Sequence, residues 1–65
     1  MTSQETTAEL IRIHGGSGPA AKATGIGGTT LRRIARGKIV PRDRLANALA
    51  WHLAQVVATG KEANK

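Results

Sequence analysis

The chain is 65 residues long and carries ten Lys and Arg against four Asp and Glu, a formal net charge of +6, with no cysteine, no Phe or Tyr and one Trp. This length makes one small domain near the lower limit for a self-sustaining core, filled mostly by Leu, Ile, Val and Ala, and self-association would help it. The absence of cysteine excludes disulfide staples and thiolate zinc sites, and His14 and His52 alone cannot close a four-ligand site, so neither a metal nor another cofactor is expected.

The opening residues, MTSQETTAE, are polar and mildly acidic and lack the apolar core of a signal peptide. Thr6 or Thr7 is expected to cap a first helix, with Glu9 in its first turn, where the helix dipole favours an acid. Leu10, Ile11 and Ile13 supply its apolar side, and Gly15-Gly16 ends it near His14. Ser17 is expected to cap a second helix, with Pro19 in the first turn, where a missing N–H is harmless. That helix stops at Gly25. Ala20 and Ala21 are small enough to let another helix approach, and Ile26 plugs the turn into the core. A third helix starts near Gly28 and ends at Gly37. At about 100° per residue, its Leu31, Ile34 and Ala35 share one face, while Thr29, Arg32, Arg33 and Arg36 share the other.

Lys38 to Pro41 forms a connector, because a residue before proline is pushed out of the helical region. From Arg42 to Thr59 there is no Gly or Pro, and Leu45, Leu49, Leu53 and Val56 recur in steps of three and four, which predicts one long helix. Apolar surface extends beyond that stripe. A dimer surface is therefore expected from Ala46, Ala50, Trp51, Leu53 and Val57, with Trp51 suiting either core filling or dimer anchoring. Gly60 is expected to end the helix, leaving a polar tail that frays. No run approaches the roughly 18 apolar residues of a membrane span, so a cytoplasmic protein with no membrane partner is expected. The reading is an all-α domain of four or five helices over 1–65, with a motif at 17–37, a C-terminal helix at 42–59 and a tail at 60–65.

The charge is concentrated. Lys22, Arg32, Arg33, Arg36, Lys38, Arg42 and Arg44 face one acid, Asp43, over this middle third, whereas the flanks balance. A basic block of this kind points to a polyanion, chiefly nucleic acid, with a solvated face kept basic for solubility as the plainer alternative.

The spacing of Ala21, Gly25, Leu31 and Ile34 reads as a helix-turn-helix. Two helices crossing steeply need a small residue at the contact, supplied by Ala21, and a turn residue free to take positive φ, supplied by Gly25. With Leu31 and Ile34 buried, Thr29, Arg32, Arg33 and Arg36 must point outward together. Guanidinium groups suit both the N7/O6 edge of guanine and phosphate oxygens, so Arg32 and Arg33 are assigned to bases and Arg36 to bases or backbone. Gly28, Thr30, Ser17, Lys22, Lys38, Arg42 and Arg44 complete the candidate DNA-contacting set.

These residues resemble the lambda repressor and Cro-like family of helix-turn-helix regulators. Ala21, Gly25-Ile26, Leu31 and Ile34 match its motif, and Gly37-Lys38 with Pro41 matches its usual continuation, over about residues 7 to 50. The resemblance implies a lambda-repressor-like fold and a cytoplasmic homodimeric repressor that binds double-stranded DNA at an inverted repeat. In a chain this short it also implies a phage, plasmid or integrative-element switch. The chain departs from the pattern in two ways. Ser17 and Gly28 stand where the family often has glutamines, so contacts there must come from backbone or from Thr29 and Thr30. Arg36, or Ala35 in a shifted alignment, replaces the glutamate often found before Gly-Lys. Gly27-Gly28 loosens the start of the third helix, either as a cap or to let backbone approach phosphate.

GIGG follows no strand and is not a dinucleotide fingerprint, and GGSGP lacks the ending of a phosphate-binding loop. No nucleophile, base and orienting group cluster in the sequence, so an enzyme is not expected. Two other readings stay open: a protein-interaction module, such as an antitoxin or anti-activator, held through the long helix, and a non-specific nucleic-acid binder driven by charge alone.

Overall fold

The computed structural model describes residues 2–59, so the expectations for Gly60 and the tail at 61–65 lie outside the described residues. Among the described residues there are four helices and no strand: α1 (Ser3–His14), α2 (Ser17–Thr24), α3 (Gly28–Ala35) and α4 (Asp43–Thr59).

The first helix begins one turn earlier than Thr6 or Thr7 would place it. Thr2 is the cap: its hydroxyl accepts from Glu5 N–H at 3.1 Å, and Glu5 Oε1 accepts from Thr2 N–H at 2.9 Å. This reciprocal box satisfies two otherwise orphaned donors. Thr6 and Thr7 are instead buried on the inner face of α1, and Thr7 Oγ1 donates to the carbonyl of Ser3 at 2.7 Å. A hydroxyl bonded back onto its own helix is cheap to bury, and no buried side-chain nitrogen or oxygen among the described residues lacks a partner. The first-turn acid is accordingly Glu5, and Glu9 pairs with Arg12 instead. At the other end, Gly15 takes φ +87°, and Gly16 N–H reaches back to Ile11 O at 2.9 Å.

Ser17 does not cap α2. Gly16 holds the cap position without any side-chain bond, and Ser17 is the first helical residue. Pro19 falls in the first turn as its lost donor requires, and Gly25 closes the helix with φ +75°.

Every helix supplies the core: Leu10 from α1, Ala20 from α2, Leu31 and Ile34 from α3, and Leu49 from α4. Ile11, Ala21, Ile26, Leu45 and Leu53 pack around these five. Leu53 therefore belongs with the core and not with an outer dimer face, because it lies one turn after Leu49 on the inward stripe. Helix α1 packs on all three others, most extensively on α3. Each fully buried Leu or Ile is worth roughly 1.5–3 kcal/mol, so this small nucleus carries most of the fold. Trp51 is not part of it. The residue is 58% exposed, and its ring stands edge-on to His52, with centroids 5.0 Å apart. No helix of the described residues is long and apolar enough to cross a membrane.

Candidate nucleic-acid interface

Three glycines shape the segment from α2 to the end of α3. Gly25 takes the left-handed conformation and donates to Ala21 O at 2.8 Å, while Thr24 Oγ1 accepts from Ile26 N–H at 3.2 Å. The turn is thus fixed on both sides, and Ile26 is driven against the core. Gly28 has a different role from either capping or approach to phosphate. The cap of α3 is Gly27, and a Cβ on Gly28 would lie 3.3 Å from the carbonyl oxygen of Ser17 and 3.7 Å from Ala21 Cβ. The two helices cross where neither can carry bulk, with Gly28 of α3 against Ser17 and Ala21 of α2.

That crossing aims the outer face of α3. Leu31 and Ile34 are buried, and on the opposite side Thr29, Arg32, Arg33, Arg36 and Lys38 line one open groove of about 200 Å³. Its lining includes no acid. Among the described residues no carboxylate pairs with Arg32, Arg33, Arg36 or Lys38. Four cations converge on one groove with no side-chain partner among the described residues, which suits them to an anionic ligand of planar or phosphate oxygen character.

The last turn of α3 is closed as carefully as its first. The N–H groups of Arg36, Lys38 and Gly37 donate to the carbonyls of Arg32, Arg33 and Ile34 at 3.0, 2.9 and 3.0 Å. Gly37 takes φ +77°, the left-handed position of a Schellman cap. The Ala35 carbonyl accepts from Gln4 Nε2 at 3.2 Å, a bond across the fold from α1. Sequence reasoning missed Gln4, since no periodicity marks a contact between residues so far apart.

The other predicted contact residues do not line the groove. Lys22 is exposed on α2, and Arg42 and Arg44 are exposed at the start of α4. Ser17, Gly28 and Thr30 are half-buried, the first two in the α2–α3 crossing. Ile39 and Val40 were not anticipated as surface residues; Val40 is 88% exposed in the connector beyond Lys38. On α4, Ala50, Trp51 and Val57 are exposed and Ala46 is half-buried. The stretch from Leu45 to Thr59 contains no Asp, Glu, Lys or Arg, so this outer face is uncharged.

Comparison of the chain with protein-family models, with curated proteins and with solved structures gives no match.

Proposed function

We propose that this chain is a sequence-specific regulator of transcription that binds double-stranded DNA through α3. In this reading its four helices form a lambda-repressor-like domain. The observation that carries it is the convergence of Thr29, Arg32, Arg33, Arg36 and Lys38 on one groove, directly opposite Leu31 and Ile34. A helix presented in this way fits the major groove, where arginine forms a bidentate pair with guanine N7 and O6. Lys22, Arg42 and Arg44, exposed on the neighbouring elements, supply phosphate contacts that set register without reading sequence. This reading calls on no catalytic group and no cofactor.

The uncharged outer face of α4, with Trp51 and Val57 exposed, supports a homodimer. Two chains each carrying +6 repel, and this face lets them meet without opposing like charges. A two-fold dimer sets its recognition helices about 34 Å apart, facing successive major grooves of an inverted repeat. Occlusion of a promoter is then the simplest regulatory act, which makes the protein a repressor.

The test is retention of random duplex DNA by the purified protein at about physiological salt, followed by sequencing. An enriched inverted repeat with half-sites one turn apart is the expected result. Retention of every sequence, lost steeply with salt, would replace specific recognition with charge-driven binding. The exposed Trp51 and Val57 favour one second reading, a module that docks another protein on α4. Failure to retain DNA together with a protein partner bound at that face would favour it.

A further inference from the structure

The last four carbonyls of an α-helix have no donor within the helix. In α3 all four are nevertheless engaged: Arg32, Arg33 and Ile34 by the local backbone cap, and Ala35 by the side-chain amide of Gln4. The fourth bond differs in kind. It comes from another helix, and the donor is itself fixed, because Gln4 lies in the first turn of α1, which Thr2 and Glu5 hold in a reciprocal box. The same amide lies against Gly37, where a Cβ would come within 3.2 Å of Nε2. Gly37 thus has two reasons to be glycine, its left-handed backbone and the side chain seated on it. On either side of Gly37 stand Arg36 and Lys38, two of the four groove cations.

We propose that Gln4 is a positioning residue for the DNA-contacting groove: its amide N–H fixes how the chain leaves α3 and so holds Arg36 and Lys38 on the groove wall. This inference rests on the DNA-binding reading. Gln4 is exposed, so water can replace its bond to Ala35 at little cost in stability. Water cannot replace its restraint. A solvated Ala35 carbonyl removes the one restraint on this turn that comes from another helix; the local cap still closes it, but Arg36 and Lys38 are no longer tied to α1 and gain freedom on the groove wall. Gln4 touches no ligand and acts only through the position of these two side chains.

The experiment compares wild type, Gln4→Ala and Gln4→Glu on a duplex retained by the wild type, across salt concentration and from pH 7.5 down to about 4, through the ordinary glutamate range. Gln4→Ala is expected to bind roughly 3- to 10-fold more weakly, with a salt dependence shallower by about one ion and a nearly unchanged urea midpoint. Gln4→Glu at neutral pH opposes a carboxylate to the Ala35 carbonyl and to the negative end of the α3 dipole, so it binds more weakly still. As pH falls, the introduced carboxyl gains a proton that it can donate to that carbonyl. Its affinity relative to wild type at the same pH should then recover while the urea midpoint stays close to wild type, whereas a purely stabilising contact would move midpoint and affinity together. Wild-type affinity and salt slope in both variants would overturn the positioning role alone. Failure of the wild type to retain any duplex would overturn the DNA reading and this inference together.

Discussion

A Cβ on Gly28 would stand 3.3 Å from the carbonyl oxygen of Ser17, so the third helix begins in near-contact with the backbone of the second. The contact is between elements and not within a turn, and it sets the angle from which the outer face of α3 is aimed. Gly28→Val adds a branched side chain where a single Cβ is already tight. It is expected to destabilise the domain by about 1–3 kcal/mol through overpacking, measured by urea denaturation, with Gly28→Ala well below that. Equal midpoints for Gly28→Val and wild type would mean that the crossing has room to spare.

Leu49 is the single residue of α4 in the fully buried nucleus, meeting Leu10, Leu31 and Ile34 there. Leu49→Ala is expected to cost about 2–5 kcal/mol, a large part of the stability available to a domain of this size. Far-ultraviolet circular dichroism against urea should show a much lower midpoint, and a midpoint close to wild type would contradict the placement of α4 on that nucleus.

The box at the start of α1 makes part of the stability pH-dependent. The Glu5 carboxylate accepts from the Thr2 backbone N–H and side-chain hydroxyl, and these bonds hold its pKa below the ordinary glutamate range. Glu9 is lowered as well, chiefly by its bond to Arg12. A depressed folded pKa means that the unfolded chain binds protons first as pH falls. The contribution is therefore complete above the unfolded glutamate value of about 4.3 and is lost as pH drops through the lower folded values. Glu5→Gln keeps an acceptor in the box but cannot titrate. Thermal unfolding of this variant should decline less than wild type on acidification below about pH 4.3; parallel declines would leave the box without a part in acid sensitivity.

The helices of this domain were legible in proportion to how local their signals are. Leu31 and Ile34 against Arg32, Arg33 and Arg36 state a helical face within six residues, and the groove gathers all four outer residues expected there, with Lys38 joining them. Gly25 and Gly37 also announced their turns, since positive φ is a demand that a single residue type answers. The start of α1 was misplaced although its signal was present: Thr2 and Glu5 have the spacing of a capping box, but Thr6 and Thr7, themselves good caps, drew the boundary a turn too late. Leu53 was read both on the inward stripe of α4 and in the dimer surface, and it packs against the core. Two contacts had no local signature at all. Gln4 reaches Ala35 across 31 residues, and Gly28 meets Ser17 through the absence of a side chain.

Trp51 and Val57 are 58% and 65% exposed on a face of α4 that carries no charge. Removing the Trp51 ring from solvent-facing surface should leave the monomer's stability within about 0.5 kcal/mol of wild type. Trp51→Arg also opposes two like charges across a two-fold contact. The expected outcome is a monomer by sedimentation and a less steep titration of an inverted-repeat duplex, with half-site binding retained. Unchanged mass and steepness would remove this face from the assembly.

Sequence recognition by α3 is tested most directly at Arg33, an exposed guanidinium on the outer wall of the groove. The measurement is the affinity of wild type and Arg33→Ala for the selected duplex and for a panel with each base pair substituted in turn. The substitution should cost about 1–3 kcal/mol and relax preference at one position of each half-site while leaving preference elsewhere intact. Unchanged affinity and an unchanged base-preference profile would contradict the assignment of this face to DNA recognition.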